Sequence, residues 1–86
     1  EELILSVFPN PSNQIVNVDY LLSTEKMVSF ALANSQGINI LKTDNKPMAA
    51  GAHRESFDVS GLMPGVYMLK ATAGASVSFR KVVVVR

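Results

Sequence analysis

An all-β antiparallel sandwich of about seven short strands is the fold class that this 86-residue sequence predicts, and three observations predict it. Apolar residues recur with a period of two, which lines them up on one face of a strand. Clusters of Pro, Asn, Ser and Gly interrupt the alternation at roughly 8 to 12 residue intervals, the spacing of an all-β domain. No segment carries the 3.6-residue period of a helix, so nothing is present to cross over between parallel neighbours.

Each element follows from its residues. The apolar run 3–8 is stopped by Pro9-Asn10-Pro11-Ser12-Asn13, which must turn because Pro supplies no ladder donor. Residues 15–22 alternate, with Val16, Val18, Tyr20 and Leu22 on one face and Asn17 and Asp19 on the other. Ser23-Thr24-Glu25 breaks the chain, and 26–33 then places Val28, Phe30 and Leu32 inward. Asn34-Ser35-Gln36-Gly37 has the composition of a hairpin turn, and the strand returns through Ile38 and Ile40. The longest connection is 44–52, with Pro47 and Gly51, where a change of sheet is expected. Residues 54–59 put Phe57 and Val59 inward. A turn over 60–65 leads to a strand with Tyr67, Leu69 and Ala71 on one face, and Gly74 sits in a tight turn. The last strand, 76–85, carries Val77 and Phe79 before Arg80-Lys81 and four consecutive Val.

Composition narrows the function classes. A content of 48% hydrophobic and 17% charged residues belongs to an ordered domain, and the length holds one domain over 1–86. A formal charge of +1, spread along the chain, predicts neither nucleic-acid binding nor attraction to an anionic membrane. No apolar stretch approaches the roughly 18 residues of a membrane span, so no membrane insertion is expected. The absence of Cys and the single His exclude disulfides, a Cys-His nucleophile and zinc sites of the Cys/His type. The start Glu1-Glu2-Leu3 has neither initiator Met nor the pattern of a signal peptide, and the chain reads as a fragment of a larger protein.

Little here points to catalysis, a metal or a cofactor. His53 and Glu55 share one strand face, with Ser56 and Asp58 on the other, the expected polar pattern of a solvated strand. No G-x-S-x-G, H-E-x-x-H or Walker-type loop occurs. Asp19, Asp44 and Asn45 are isolated oxygen ligands, short of a calcium loop. Leu62-x-x-Gly65-x-Tyr67 is more specific. Its spacing is that of a tyrosine corner, in which the hydroxyl bonds back to upstream backbone, the ring joins the core, and Gly65 serves as a turn residue free to take positive φ. The sandwich is therefore expected to be immunoglobulin-like.

Four motifs in order, Val7-Phe8-Pro9-Asn10-Pro11-Ser12-Asn13, Ala33-Asn34-Ser35-Gln36-Gly37, Leu62-x-x-Gly65-x-Tyr67 and Arg80-Lys81-Val82-Val83-Val84-Val85-Arg86, resemble the C-terminal sorting domain of type IX secretion cargo. The resemblance spans essentially the whole chain; Gln14 and the Ser35-Gln36 pair depart from the usual Gly and Asp. It implies a non-catalytic secretion signal on a protein of a Gram-negative bacterium. Such a protein is exported to the periplasm and then sorted to the outer membrane, the cell surface or the medium. The partners implied are the outer-membrane translocon, its shuttle protein and a surface sortase-like protease that cleaves and anchors. By the family pattern, recognition falls on Gly65, Tyr67, Lys81, Val82, Val83, Val84, Val85 and Arg86, with Pro9, Asn10 and Pro11 as a structural turn.

The run of four Val is apolar on both faces, so it is buried on both, covers the sandwich edge as the last strand, or leaves one face to dock elsewhere. An exposed strand edge there would recruit a partner by β-augmentation, or a second copy by self-association. Arg80 and Lys81 would flank the strand as gatekeepers or meet an acidic receptor. The alternative is an immunoglobulin- or fibronectin-like accessory or spacer module of a secreted enzyme. A glycan-binding version of it lacks the exposed aromatic platforms such sites use, since the chain has no Trp and both Tyr are expected inward.

Overall fold

The period-two segments form eight strands: β1 (Ile4–Phe8), β2 (Ile15–Leu22), β3 (Lys26–Ala33), β4 (Asn39–Lys42), β5 (Lys46–Met48), β6 (Gly51–Asp58), β7 (Gly65–Ala73) and β8 (Ser76–Val84). The computed structural model describes residues 4–85; Leu3 and Arg86, each given a place in the terminal strands by the sequence, lie outside the described residues. All pairings between strands are antiparallel. They make a three-stranded sheet, β1-β2-β6, and a five-stranded sheet, β4-β3-β7-β8 with β5 also on β3. This is the all-β, immunoglobulin-like sandwich that the sequence predicts, with one strand more.

The core lies between the sheets. Val16, Val18, Tyr20 and Leu22 of β2 face Val28, Phe30 and Leu32 of β3, Tyr67, Leu69, Ala71 and Ala73 of β7, and Val82 and Val84 of β8. With no Trp, the stabilisation comes mainly from aliphatic side chains at about 1.5 to 3 kcal/mol for each one fully buried. Aromatic edges add orientation. Phe30 meets Tyr20 at 5.4 Å and Phe57 at 5.6 Å, both edge-on.

Two features differ from the sequence reading. The 44–52 segment contains β5, which continues β4 along the same side of β3. Between them Thr43 bonds Phe30 twice, donating its N–H to the Phe30 carbonyl and accepting the Phe30 N–H on its hydroxyl. Pro47 is tolerated because β5 is an edge strand. The expected change of sheet occurs after Met48, where Gly51 with φ 125° starts β6. Second, Ile38 and Ile40 are exposed. The β3–β4 ladder shifts register between Leu32 and Ala33, which brings Leu41 against the core instead. In β8 the inward residues are Ser78, Val82 and Val84, and Val77 and Phe79 face outward.

Candidate recognition site

The tyrosine corner forms as its spacing requires. The Tyr67 hydroxyl donates to the Met63 carbonyl at 2.6 Å, the ring is buried, and Leu62 packs against the core. Gly65 takes the positive φ expected of it, 158°, but as the first residue of β7, opposite Val84, and not within the reversal itself. The polypeptide reverses before it, at 59–62, where the Leu62 N–H bonds the Val59 carbonyl.

The Pro-Asn-Pro turn has a function in the fold that its composition did not disclose. β8 is the last strand of its sheet, and its outer edge would present unpaired backbone groups. Asn10 takes up two of them, its side-chain amide donating to the Lys81 carbonyl and its oxygen accepting the Val83 N–H, each at 2.9 Å. One amide carries a donor and an acceptor, so it imitates a backbone residue. Ser12 extends the pairing with backbone: its N–H donates to the Val83 carbonyl at 2.9 Å and its carbonyl accepts the Val85 N–H at 2.8 Å. The Ser12 hydroxyl, buried, closes back on the Ile15 carbonyl. Of the arrangements left open for the terminal strand, an edge exposed for β-augmentation is not the one formed: the edge is closed from Lys81 to Val85. Upstream, the Arg80 guanidinium donates to the Phe79 carbonyl.

The Asn34–Gly37 hairpin reaches the same corner. Asn34 accepts the N–H groups of Gln36 and Ile38 on its side-chain oxygen, and Gly37 takes φ 82°, which L side chains rarely adopt. Between this turn and β7 lies an open cleft of about 350 Å³, lined by Ala33, Asn34, Ser35, Gly37, Val66, Tyr67 and Met68. Four motifs far apart in sequence thus meet around the Gly65 end of β7 and the Val84 end of β8. Of the residues expected to be read, Lys81, Val85 and Gly65 are exposed, Val83 is half-buried, and Tyr67, Val82 and Val84 are core. Ser12 and Asn34, quoted only as members of their motifs, and the Met63 carbonyl supply bonds that the sequence did not assign to them.

The polar residues elsewhere are accounted for by structure. His53 stacks on Tyr20 at 5.3 Å and bonds the Ala49 carbonyl through Nε2 at 2.7 Å. Asp58 accepts hydrogen bonds from the Ser60 hydroxyl and N–H, which lower its pKa. Burial raises that of Tyr20, with the Glu55 charge adding to it. No cluster of three His, Cys, Asp or Glu forms among the described residues.

A family model described as the secretion system C-terminal sorting domain matches residues 6–85, nearly the whole chain and all four motifs but for Arg86. No curated protein and no solved structure matches. The order of the motifs, their assembly at one corner and the family match agree: the chain belongs to the secretion system C-terminal sorting domain family, the sorting signals of type IX secretion.

Proposed function

We propose that this domain is a non-catalytic address label carried at the C-terminal end of a larger secreted protein. In this reading the passenger reaches the periplasm, and the outer-membrane translocon and its shuttle protein bind the folded domain. A sortase-like protease at the cell surface then cleaves it and anchors the passenger. Export through the outer membrane of a Gram-negative, Bacteroidetes-type bacterium follows from the family.

The observation that carries the proposal is the convergence of the four motifs. A receptor that reads the corner where residues 9–12, 34–37, 65–67 and 81–85 meet reads only a folded domain. Lys81, Val83, Val85 and Gly65 are the contact residues in this account. Tyr67, Val82 and Val84 set the shape, and Asn10, within the Pro9-Asn10-Pro11 turn, holds the terminal strand together with Ser12. The closed edge supports recognition through side chains and counts against self-association by strand pairing along 81–85.

The test is a reporter bearing a signal peptide and residues 1–86, compared with the same reporter lacking 82–86. The deletion is expected to leave the reporter periplasmic. Because it also removes core Val82 and Val84, Lys81→Glu and Val85→Glu are run beside it; both spare the core and are expected to reduce surface display. Full display of the deletion, or of both point variants, would overturn the proposal.

A further inference from the structure

The outer face of the five-stranded sheet contains a groove. From Ser29 to Ala33 the outward side chains of β3 are small, Ser29, Ala31 and Ala33, whereas the flanking strands, and Met27 at the start of β3, carry larger ones. Two clefts lie along that floor. One, of about 200 Å³, is bounded by Asn39 and Lys42 on the β4 side and Lys70 and Thr72 on the β7 side. The other is the 350 Å³ cleft over Ala33, walled by Val66 and Met68 and by the Asn34–Gly37 turn.

Register fixes how the walls are arranged. Lys42, Ala31 and Lys70 stand in one cross-strand row, so the two lysines face each other across Ala31 on strands about 9.5 Å apart. Ala33 stands two residues further, about 6.6 Å along the strand, between Asn39 of β4 and Met68 of β7, with Lys81 one strand beyond Met68 on β8. No Asp or Glu lines either cleft, and neither Lys42 nor Lys70 is in an ion pair among the described residues. The groove thus has a cationic half and an apolar half in fixed order.

We propose that this groove docks an extended protein segment carrying a carboxylate and a large apolar side chain two residues apart, the carboxylate between Lys42 and Lys70 and the apolar group over Ala33. Strand spacing in the segment matches the 6.6 Å step along β3. Charge selects this occupant over a second copy of the chain, whose own face would set lysine against lysine. The concave, side-chain-wide shape, in a protein without Trp, selects it over a lipid surface. The inference deepens the sorting reading by giving the receptor-facing side a ligand chemistry, but it is tested apart from export.

The probe is a blocked pentapeptide of serine with glutamate second and leucine fourth, titrated into the 86-residue domain while backbone amide shifts are followed. Expected are shifts confined to Ser29, Ala31, Ala33, Lys42, Lys70 and their neighbours, with binding weakened roughly two- to fivefold by Lys42→Gln, by Lys70→Gln, or by glutamine in place of the glutamate. Both variants change exposed side chains, and their unliganded spectra report that the fold is kept. Shifts elsewhere, equal affinity for the glutamine peptide, or groove shifts on changing protein concentration alone would overturn the proposal. So would broadening by phosphatidylglycerol vesicles where the peptide gives none. The readout uses the isolated domain, so its failure leaves the sorting reading standing, and a failure of export leaves the groove standing.

Discussion

The two outer faces of the sandwich are built on the same period-two logic and end in opposite states. On the three-stranded sheet the polar groups satisfy one another. Arg54 forks onto Asp19 at 2.7 and 3.1 Å and lies 5.0 Å from the centre of the Phe8 ring, and Ser56 donates to Asn17 at 2.7 Å. On the five-stranded sheet Lys42, Lys70 and Lys81 stand among exposed Val66, Met68, Val77 and Phe79, and no ion pair among the described residues involves them. A face whose charges are already matched offers a partner little. The other offers apolar area and uncompensated charge together, the combination expected of an interaction surface. Recognition is therefore expected away from the face that carries Asp19 and Arg54, and on the side that carries β7 and β8.

The comparison can be broken most severely from the inside of β7. Leu69→Ala removes a fully buried side chain and is expected to cost about 2 to 5 kcal/mol, whereas Met68→Ala, its outward neighbour, should stay within about 0.5 kcal/mol. Chemical denaturation of both decides it; equal losses would mean that the outer face is covered. Tyr67→Phe is expected to lower stability by about 1 kcal/mol through loss of the bond to Met63, read as a shifted denaturant midpoint. Asn10→Ala should cost about as much and, more tellingly, speed hydrogen exchange at the Val83 amide while leaving the Leu69 amide protected. An unchanged Val83 amide would show that the edge is not held by Asn10.

The smallest effect separates the two faces by pH. The hydrogen bond from Arg54, aided by its charge and opposed by desolvation, holds the Asp19 carboxyl below its usual value. A carboxylate whose pKa is lower folded than unfolded stabilises fully above the unfolded value, near 3.9, and loses that contribution as pH falls through the folded one. The midpoint difference between wild type and Arg54→Gln should therefore shrink on acidification below about pH 4. Lys81→Gln, on the open face, should show no such change.

Most of the fold was legible because period two and turn chemistry are local. Val16 through Leu22, the Asn34–Gly37 hairpin and the tyrosine corner could be read within ten residues of themselves, and each stands where expected. β5 could not: it is three residues long, contains Pro47, and exists because β3 leaves that stretch of its edge open. That Leu41 and not Ile40 faces the core depends on a register shift in the ladder, which an alternation pattern cannot express. The edge cap was hidden for a third reason. Asn10 and Val83 are 73 residues apart, and an Asn between two prolines gives no sign of what its amide will bond. The recognition corner was thus legible as four motifs and illegible as one place.

The most direct measurement of the central claim is surface display of a fluorescent reporter with a signal peptide and residues 1–86 at its C-terminus, in matched cells with and without a type IX translocon. Reporter is expected outside the outer membrane only where the translocon is present, with periplasmic accumulation in its absence. Periplasmic retention in both strains, or equal display in both, would contradict it.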